Sequence, residues 1–233
     1  MKSKVLLIQL LLIFLLLNCT TVRFNKRYKS VEVNEIIIKP PLVKIEYKEA
    51  FEKNNDSGLK FEATRNFYRY FKENENDVNY LFATKDLKNM EKSNISSIIS
   101  FAKFNTENNE EIPSSLLAGF NSSDRFYLLT RQDGRQITLG ASIKEASIKE
   151  AFITVFFNVL FGQNTHPNTE NSFSNMEFAL IDIKRRKSVF YYSDHDNGEP
   201  NKKGTIFDQL DSLQEKLREE VLLKPIVSLD TKS

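Results

Sequence analysis

The most constraining feature of this chain is an apolar run near its amino terminus. Val5 to Leu17 is apolar except at Gln9, and it follows a short basic leader that contains Lys2 and Lys4. As a helix this run would span about 20 Å, whereas the hydrocarbon core of a bilayer is about 30 Å thick and requires about 20 residues. The run is therefore too short for a good membrane-spanning helix, and it has the length of the apolar segment of a signal peptide.

The apolar run ends in Leu16-Leu17-Asn18-Cys19. This resembles the bacterial lipobox, a Leu followed by two residues and then Cys, in the looser form found in spirochaetes. The resemblance implies diacylglycerol on the Cys19 sulfur, cleavage before Cys19 and acylation of the new amino terminus. Cys19 is also the single cysteine of the chain, so the folded part has no internal disulfide. The alternatives are an uncleaved anchor with a free thiol and a cytoplasmic chain.

Cleavage before Cys19 would leave 215 of the 233 residues, enough for one ordinary domain with a core. The precursor has 33 basic and 31 acidic residues, and two of the lysines lie in the leader, so the mature chain is close to neutral. A nucleic-acid partner is not expected without a basic excess. We predict a signal peptide (1–18), a basic tether (19–30), one globular domain (31–225) and a tail (226–233).

The amino-terminal half of the predicted domain contains both strand and helix patterns. Val31 to Tyr47 is strand-like and is interrupted by Pro40-Pro41, which cannot donate to a sheet ladder. Residues 54–58 are rich in Asn, Asp and Gly and predict a loop. Apolar side chains from Phe61 to Phe71 have helical spacing, and a second helix is predicted over Ser96 to Phe104. The segment Val78 to Lys92 between them is ambiguous, and residues 80–82 are compatible with a short strand before a helical turn.

The middle of the chain contains the strongest local turn signal. Arg125 to Thr130 predicts a strand, Asp133-Gly134 has the residues of a tight hairpin turn, and Arg135 to Leu139 would return as the partner strand. The tandem Ala-Ser-Ile-Lys-Glu repeat at 141–150 favours a helix. The apolar run from Ala151 to Phe161 is either a buried element or an exposed element that docks on a membrane or a partner.

The carboxy-terminal part predicts a hairpin and a helix. After a polar loop over 163–175, strands over 177–184 and 188–192 flank a basic turn, and a charged loop follows over 194–203. Thr205 and Asp208 resemble a capping box at the start of the last helix, which should bury one apolar face: Phe207, Leu210, Leu213, Leu217 and Val221. Pro225 should end that helix.

The order of these elements predicts a mixed α/β fold, with about five to six strands flanked by three to four helices. The strand Ala179-Leu180-Ile181-Asp182, its tight turn and the aromatic strand Val189-Phe190-Tyr191-Tyr192 resemble the family of curli-secretion lipoproteins and lipoprotein activators of peptidoglycan synthases. The resemblance covers about 45 residues. It implies a sheet flanked by helices and a binding or assembly role, and it provides no catalytic residues.

The best candidate for chemistry is Asp194-His195-Asp196, because carboxylates and imidazole can ligate a divalent metal. A solvated turn after a strand is the simpler interpretation, since three adjacent residues cannot all point at one ion. His166, the other histidine, has no recognisable partner in the sequence. No nucleophile elbow or phosphate-binding glycine loop is present, so we predict no catalytic residue and no cofactor.

These observations favour a non-catalytic envelope lipoprotein. It would be attached to the membrane through lipid on Cys19 and would bind or assemble with another envelope component, most simply another envelope protein. Thr20 stands where the familiar inner-membrane retention residue is Asp, which favours the outer membrane. The alternatives are a surface-exposed lipoprotein that binds an extracellular or host ligand, and an envelope enzyme.

Overall fold

The computed structural model describes residues 20–26, 33, 35–49, 52–55, 57–74, 79–82, 92–137 and 172–222. Several predictions concern residues outside these ranges: Cys19 and the signal peptide, the repeat at 141–150, the apolar run Ala151 to Phe161, His166 and Pro225. They remain predictions. Among the described residues, no helix has both the length and the apolar character needed to cross a membrane.

The described part of the chain is a mixed α/β fold, as predicted. Eight strands form one sheet, and the strands are β1 (Thr21–Phe24), β2 (Glu35–Ile38), β3 (Leu42–Glu49), β4 (Glu52–Asn55), β5 (Asn79–Phe82), β6 (Phe126–Ile137), β7 (Phe173–Asp182) and β8 (Lys187–Asp196). The α-helices are α1 (Ser57–Glu73), α2 (Lys92–Asn105) and α3 (Lys203–Leu217). A 3-10 turn (Ser114–Leu117) and a π-helical turn (Arg218–Leu222) complete the described elements.

The sheet is six positions wide although it has eight strands. Its order is β1-β8-β7-β6, followed by β2 and β3 end to end beside β6, and then by β5 beside β2 and β4 beside β3. Pro40-Pro41 separates β2 from β3, because proline lacks the N–H that a ladder needs. Three residues, 39–41, therefore lie between Ile38 and Leu42, whose partners Leu128 and Arg131 have only two residues between them. The predicted proline break is confirmed.

Helices cover both faces of the sheet. On one face, α1 and α3 pack over the larger apolar core, in which Phe67 and Leu210 meet Leu128 and Phe178. The two helices are also joined directly, because the Tyr70 hydroxyl donates to Asp211 over 2.6 Å. On the opposite face, α2 buries a smaller cluster: Ile95, Ile98, Ile99 and Ala102 against Tyr127, Leu129, Ala179, Ile181 and Tyr191.

The predicted hairpin at Asp133-Gly134 is wrong. Both residues lie inside the continuous strand β6, where Asp133 pairs with Lys44 on one side and Asn175 on the other. Gly134 is needed there for close packing, since a Cβ at this position would lie 2.6 Å from the Pro200 Cβ and 2.9 Å from the Phe173 carbonyl oxygen. Sheet pairing on both sides overrides the local turn preference.

Four predicted loops and linkers are shorter than expected. The predicted loop over 54–58 is divided between β4 and the first turn of α1, which begins at Ser57. Residues 173–175, predicted as loop, begin β7, and Asp194 to Asp196 end β8 instead of starting a charged loop. Residues 21–24 of the predicted tether form strand β1, which pairs with β8. In each case except the first turn of α1, these residues are held in place by ladder hydrogen bonds.

The last helix begins earlier than predicted. It starts at Lys203 with Lys202 at the N-cap, where the backbone is extended (φ −70°, ψ 141°) and no side chain provides a cap. The predicted capping box at Thr205 is therefore wrong. Thr205 instead packs against Gly198, where a Cβ would collide with the threonine side chain. The predicted burial of Leu210, Leu213 and Leu217 is confirmed.

Candidate functional site: a polar pocket at one end of the sheet

The central strands change character along their length. On the face covered by α2, the apolar residues of β6, β7 and β8 give way to polar ones toward one end of the sheet. Alternation and register place these polar side chains in two rows: Arg131, Glu177 and Ser193 in the first, and Asp133, Asn175 and His195 in the second. The α2 helix contacts the first row through two polar side chains, Ser96 and Lys103.

The first row is organised around Glu177, whose side chain is only 13% exposed. Its carboxylate accepts hydrogen bonds from the Arg131 Nε (2.7 Å) and the Tyr191 hydroxyl (2.7 Å), and the Lys103 ammonium lies 3.4 Å away. Arg131 also donates to the Ser96 hydroxyl of α2 over 2.9 Å. This network joins three strands and α2 at the base of a pocket.

Two opposing effects act on Glu177. Burial raises the pKa of the carboxyl, while the hydrogen bonds from Tyr191 and Arg131 and the charges of Arg131 and Lys103 lower it, and the result is a pKa below the usual value. Burial and the nearby Glu177 also raise the pKa of the Tyr191 phenol. Glu177 is therefore ionised and Tyr191 neutral near pH 7, as a stable hydrogen-bonded pair requires.

The pocket has a volume of about 330 Å³ and eight lining residues: Lys103, Asp133, Asn175, Met176, Glu177, Ser193, Asp194 and His195. The side chains of Lys103 and Asp133 are about half exposed at its rim, at 42% and 48%. Its chemistry is polar, and charges of both signs contribute to it.

His195 forms one wall of the pocket. Its Nδ1 is hydrogen-bonded to the Asn175 side-chain oxygen, and its Nε2 lies 3.2 Å from the side-chain oxygen of Asn197. The imidazole also stacks on Phe173, with ring centroids 5.9 Å apart. Asparagine side chains thus hold both ring nitrogens, where a catalytic histidine would have a carboxylate or a nucleophile.

The structure does not bring Asp194, His195 and Asp196 together around one point. Side chains alternate along β8, so the two aspartates lie on the face opposite His195. The Asp194 carboxylate accepts the His195 backbone N–H (3.0 Å), and Asp196 accepts the Gly198 N–H (2.5 Å). Burial raises the pKa of Asp194, and the charge of Asp196 adds to this effect. Within the described ranges, no group of three or more His, Cys, Asp or Glu residues could hold a metal ion.

The pocket lies at the end of the sheet where the described chain begins. Thr21 pairs with Ser193, a pocket residue, at the start of β1. In the sequence, Thr21 follows Cys19 by two residues.

Sequence reasoning found His195 and Asp194 but missed the organising residues Arg131, Glu177, Lys103 and Tyr191. One local signal was available, because Glu177 is a carboxylate at a position of β7 between the apolar Met176 and Phe178. Its partners lie 46 residues away on β6 and 74 residues away on α2, so only the strand register reveals them.

No family model matches the chain, and no curated protein matches it. Among solved structures, a PelC variant dodecamer from Paraburkholderia phytofirmans is similar, with 7% identity and a TM-score of 0.36 over 85% of this chain and 97% of that chain. A second PelC dodecamer from the same organism has 9% identity and a TM-score of 0.35, over 84% and 98% of the two chains. These TM-scores are too low to support an inference about fold or function.

Proposed function

We propose that this chain is a membrane-anchored, non-catalytic envelope lipoprotein that binds another envelope component. The sequence from Val5 to Cys19 provides the export signal and the acylation site. The observation that carries the proposal is the position of β1, which begins two residues after Cys19 and pairs with β8. A lipid on Cys19 would hold the sheet directly at the membrane surface, with no long linker between them.

The pocket supports a binding function. Its charged groups are mainly occupied with one another, because Glu177 is bound by Arg131, Tyr191 and Lys103. His195 is held by two asparagines. These contacts fix the shape of a recognition surface and provide no activated nucleophile or general base.

The second candidate is a surface-exposed lipoprotein that binds an extracellular or host ligand. The same anchor and pocket are compatible with both candidate functions. The two functions differ in the side of the outer membrane on which the domain lies. Protease treatment of intact cells separates them. Protection of the domain supports a periplasmic binding function, and cleavage from intact cells supports the surface function.

Metabolic labelling with palmitate in the native host tests the anchor. We expect the wild-type chain to incorporate label and to fractionate with membranes. Cys19→Ala should abolish incorporation, and Asn18→Gly, which restores a small residue beside the lipobox cysteine, should retain it as a matched control. Label that persists in Cys19→Ala would contradict the lipoprotein assignment.

In-cell cross-linking of the acylated protein, followed by mass spectrometry, tests the binding function. A partner that cross-links to the pocket strands should be lost when Asn175 and Ser193 are replaced by Ala. It should be retained when the exposed Phe104, on the outer side of α2, is replaced by Ala. A partner recovered equally with both sets of variants would place the binding surface elsewhere.

A further inference from the structure

We infer that the pocket binds a neutral, hydroxyl-rich group, the chemistry of a sugar ring, presented at the membrane surface. The ligand could be the headgroup of a glycolipid or a free envelope saccharide. The location of the ligand rests on the proposed lipid anchor, and its chemistry rests on the pocket alone.

The charges of the pocket argue against ionic ligands. Asp133 and Glu177 would repel an anion, while Lys103 and the adjacent Arg131 would repel a cation. Because opposite charges already lie within 4 Å of each other in this network, a singly charged ligand would have to displace existing ion pairs. A divalent metal is disfavoured in the described part of the chain, where no suitable ligand group converges.

The polarity of the pocket argues against an apolar ligand. The side chain of Met176, the single aliphatic lining residue, is buried in the larger core on the opposite face of the sheet, and the other lining residues are polar or charged. Burying a hydrocarbon there would remove polar groups from water without replacing their hydrogen bonds. Pockets for small ligands are usually more apolar than this one.

A sugar ring matches what the pocket offers. Asn175 and Ser193 can each donate and accept, Asp133 accepts and Lys103 donates. Asn175, Ser193 and Asp133 stand on neighbouring strands about 4.8 Å apart, in rows about 6.6 Å apart along the strands, and Lys103 reaches the pocket from α2. Hydroxyls around the rim of a ring can therefore reach both rows at once. The volume of about 330 Å³ is at the small end of ligand pockets, suited to one or two rings.

The position of the pocket favours a ligand at headgroup level. Ser193 lines the pocket and pairs with Thr21, which follows Cys19 by two residues in the sequence. Asn175 lies two residues before Glu177 in β7, and its partner His195 lies two residues after Ser193 in β8. Both therefore lie beyond the start of β1, on the side of the sheet from which the chain enters it. If Cys19 is acylated, the second row of the pocket faces the lipid headgroups.

Photo-cross-linking of the full-length acylated protein tests this inference. The protein is incorporated into phosphatidylcholine vesicles that contain either a photoactivatable monogalactosyl lipid or a photoactivatable phosphatidylcholine, and labelled peptides are identified by mass spectrometry. In a second arm, a photoactivatable free galactosyl oligosaccharide is added to the protein in detergent. We expect a galactosyl probe to label peptides from β7 and β8 in preference to the phosphatidylcholine probe.

Variants make the result specific to the pocket. Asn175→Ala and Ser193→Ala each remove ligand hydrogen bonds and should reduce the labelling or the affinity about tenfold. Phe104→Ala should label as the wild type does, and all variants should keep the wild-type Tm. Labelling in the lipid arm alone identifies a glycolipid, and labelling in the free-sugar arm identifies a saccharide.

Failure of the anchor and failure of the inference can be distinguished. A protein without acyl chains would not enter the vesicles, but the free-sugar arm would still probe its pocket. Equal labelling of the pocket peptides by the phosphatidylcholine probe would overturn the inference. So would the absence of labelling by both galactosyl probes, or labelling that survives in both pocket variants.

Discussion

The two halves of the β7–β8 hairpin differ in what covers them. The half next to its turn contains Phe178, Leu180, Phe190 and Tyr192, which lie in the main core, and Ala179 and Tyr191, which lie under α2. In the other half, Asn175, Glu177, Ser193 and His195 line an open pocket on the α2 side. One hairpin thus combines a core that stabilises the fold with a surface able to recognise a ligand, because helices cover only part of its length.

The two ends of the β7–β8 hairpin also differ in the arrangement of their charges. The turn is the basic segment Lys184 to Lys187, and there Arg186 forms an ion pair with Glu111. At the other end carboxylates and cations are combined in one network around Glu177. The turn lies about 20 Å from Ser193 along β8, so a lipid on Cys19 would hold the basic turn away from the membrane.

The largest expected effect is a difference in stability loss between a substitution in the core half of the hairpin and one in its pocket half. Phe178→Ala should lower the free energy of unfolding by about 3–5 kcal/mol, since it leaves a cavity in the main core. Asn175→Ala, three residues away in the same strand, should change it by less than about 0.5 kcal/mol. Urea denaturation of both variants measures the difference, and similar losses would mean that the pocket half is also structural.

Glu177→Gln tests whether the pocket has a rigid base. The change removes the charge that Arg131, Lys103 and Tyr191 stabilise, and we expect a loss of about 1.5–3 kcal/mol. A matched change at exposed Glu110→Gln should have almost no effect. If Glu177→Gln has the same free energy of unfolding as the wild type, the network contributes nothing to stability.

The same network predicts how stability depends on pH. The pKa of Glu177 is lowered in the folded state, so its contribution is complete above the unfolded pKa of about 4.3. This contribution to stability should be lost as the pH falls through the lower pKa that Glu177 has in the folded state. Thermal unfolding between pH 7 and pH 3 should therefore show a steeper acid decline for the wild type than for Glu177→Gln, and parallel curves would contradict this assignment.

Gly134→Ala tests the close packing of β6 within the pocket half. A Cβ at this position would meet Pro200 and the Phe173 carbonyl, so we expect a loss of about 1–3 kcal/mol. Gly204→Ala is the matched control, because a Cβ there meets nothing within 4 Å and the helix α3 gains an alanine. If chemical denaturation gives the two variants the same free energy of unfolding, the close contact at Gly134 is contradicted.

The smallest expected effect lies at the basic turn. Arg186 has a positive φ of 53°, which glycine adopts without the penalty of a side chain. Arg186→Gly also removes an exposed ion pair with Glu111, which contributes little. The net effect should be a stabilisation of about 0.5 kcal/mol. Lys184→Gly, at a residue without positive φ, should be neutral or destabilising in the same thermal unfolding assay.

Much of the fold could be predicted from local patterns. Helical spacing of Phe67 and Phe71 found α1, and the apolar strand around Leu180 found the turn half of the hairpin, because burial on a helix or sheet face leaves a periodic trace. The Asp133-Gly134 turn failed for the opposite reason. Its local preference is weaker than the pairing of β6 with β3 and β7, which sequence periodicity does not reveal.

The candidate site was largely hidden from sequence reasoning. Residues 173–175 and 194–196 are mainly polar and are predicted as loops, although pairing with neighbouring strands holds them as strands. Glu177 meets Lys103 and Arg131 only through the register of the strands and the path of α2. Such a site depends on long-range pairing, and a single sequence does not encode that pairing as a motif.

The most direct measurement asks which end of the sheet faces the membrane. A single cysteine introduced at exposed Asn197 or at exposed Arg185 can be spin-labelled selectively, because the proposed acylation would block Cys19, the single native cysteine. With the full-length protein in vesicles that carry a nickel-chelating lipid, we expect strong relaxation of the label at 197 and weak relaxation at 185. Equal relaxation at both sites, or stronger relaxation at 185, would contradict an anchor beside the polar pocket.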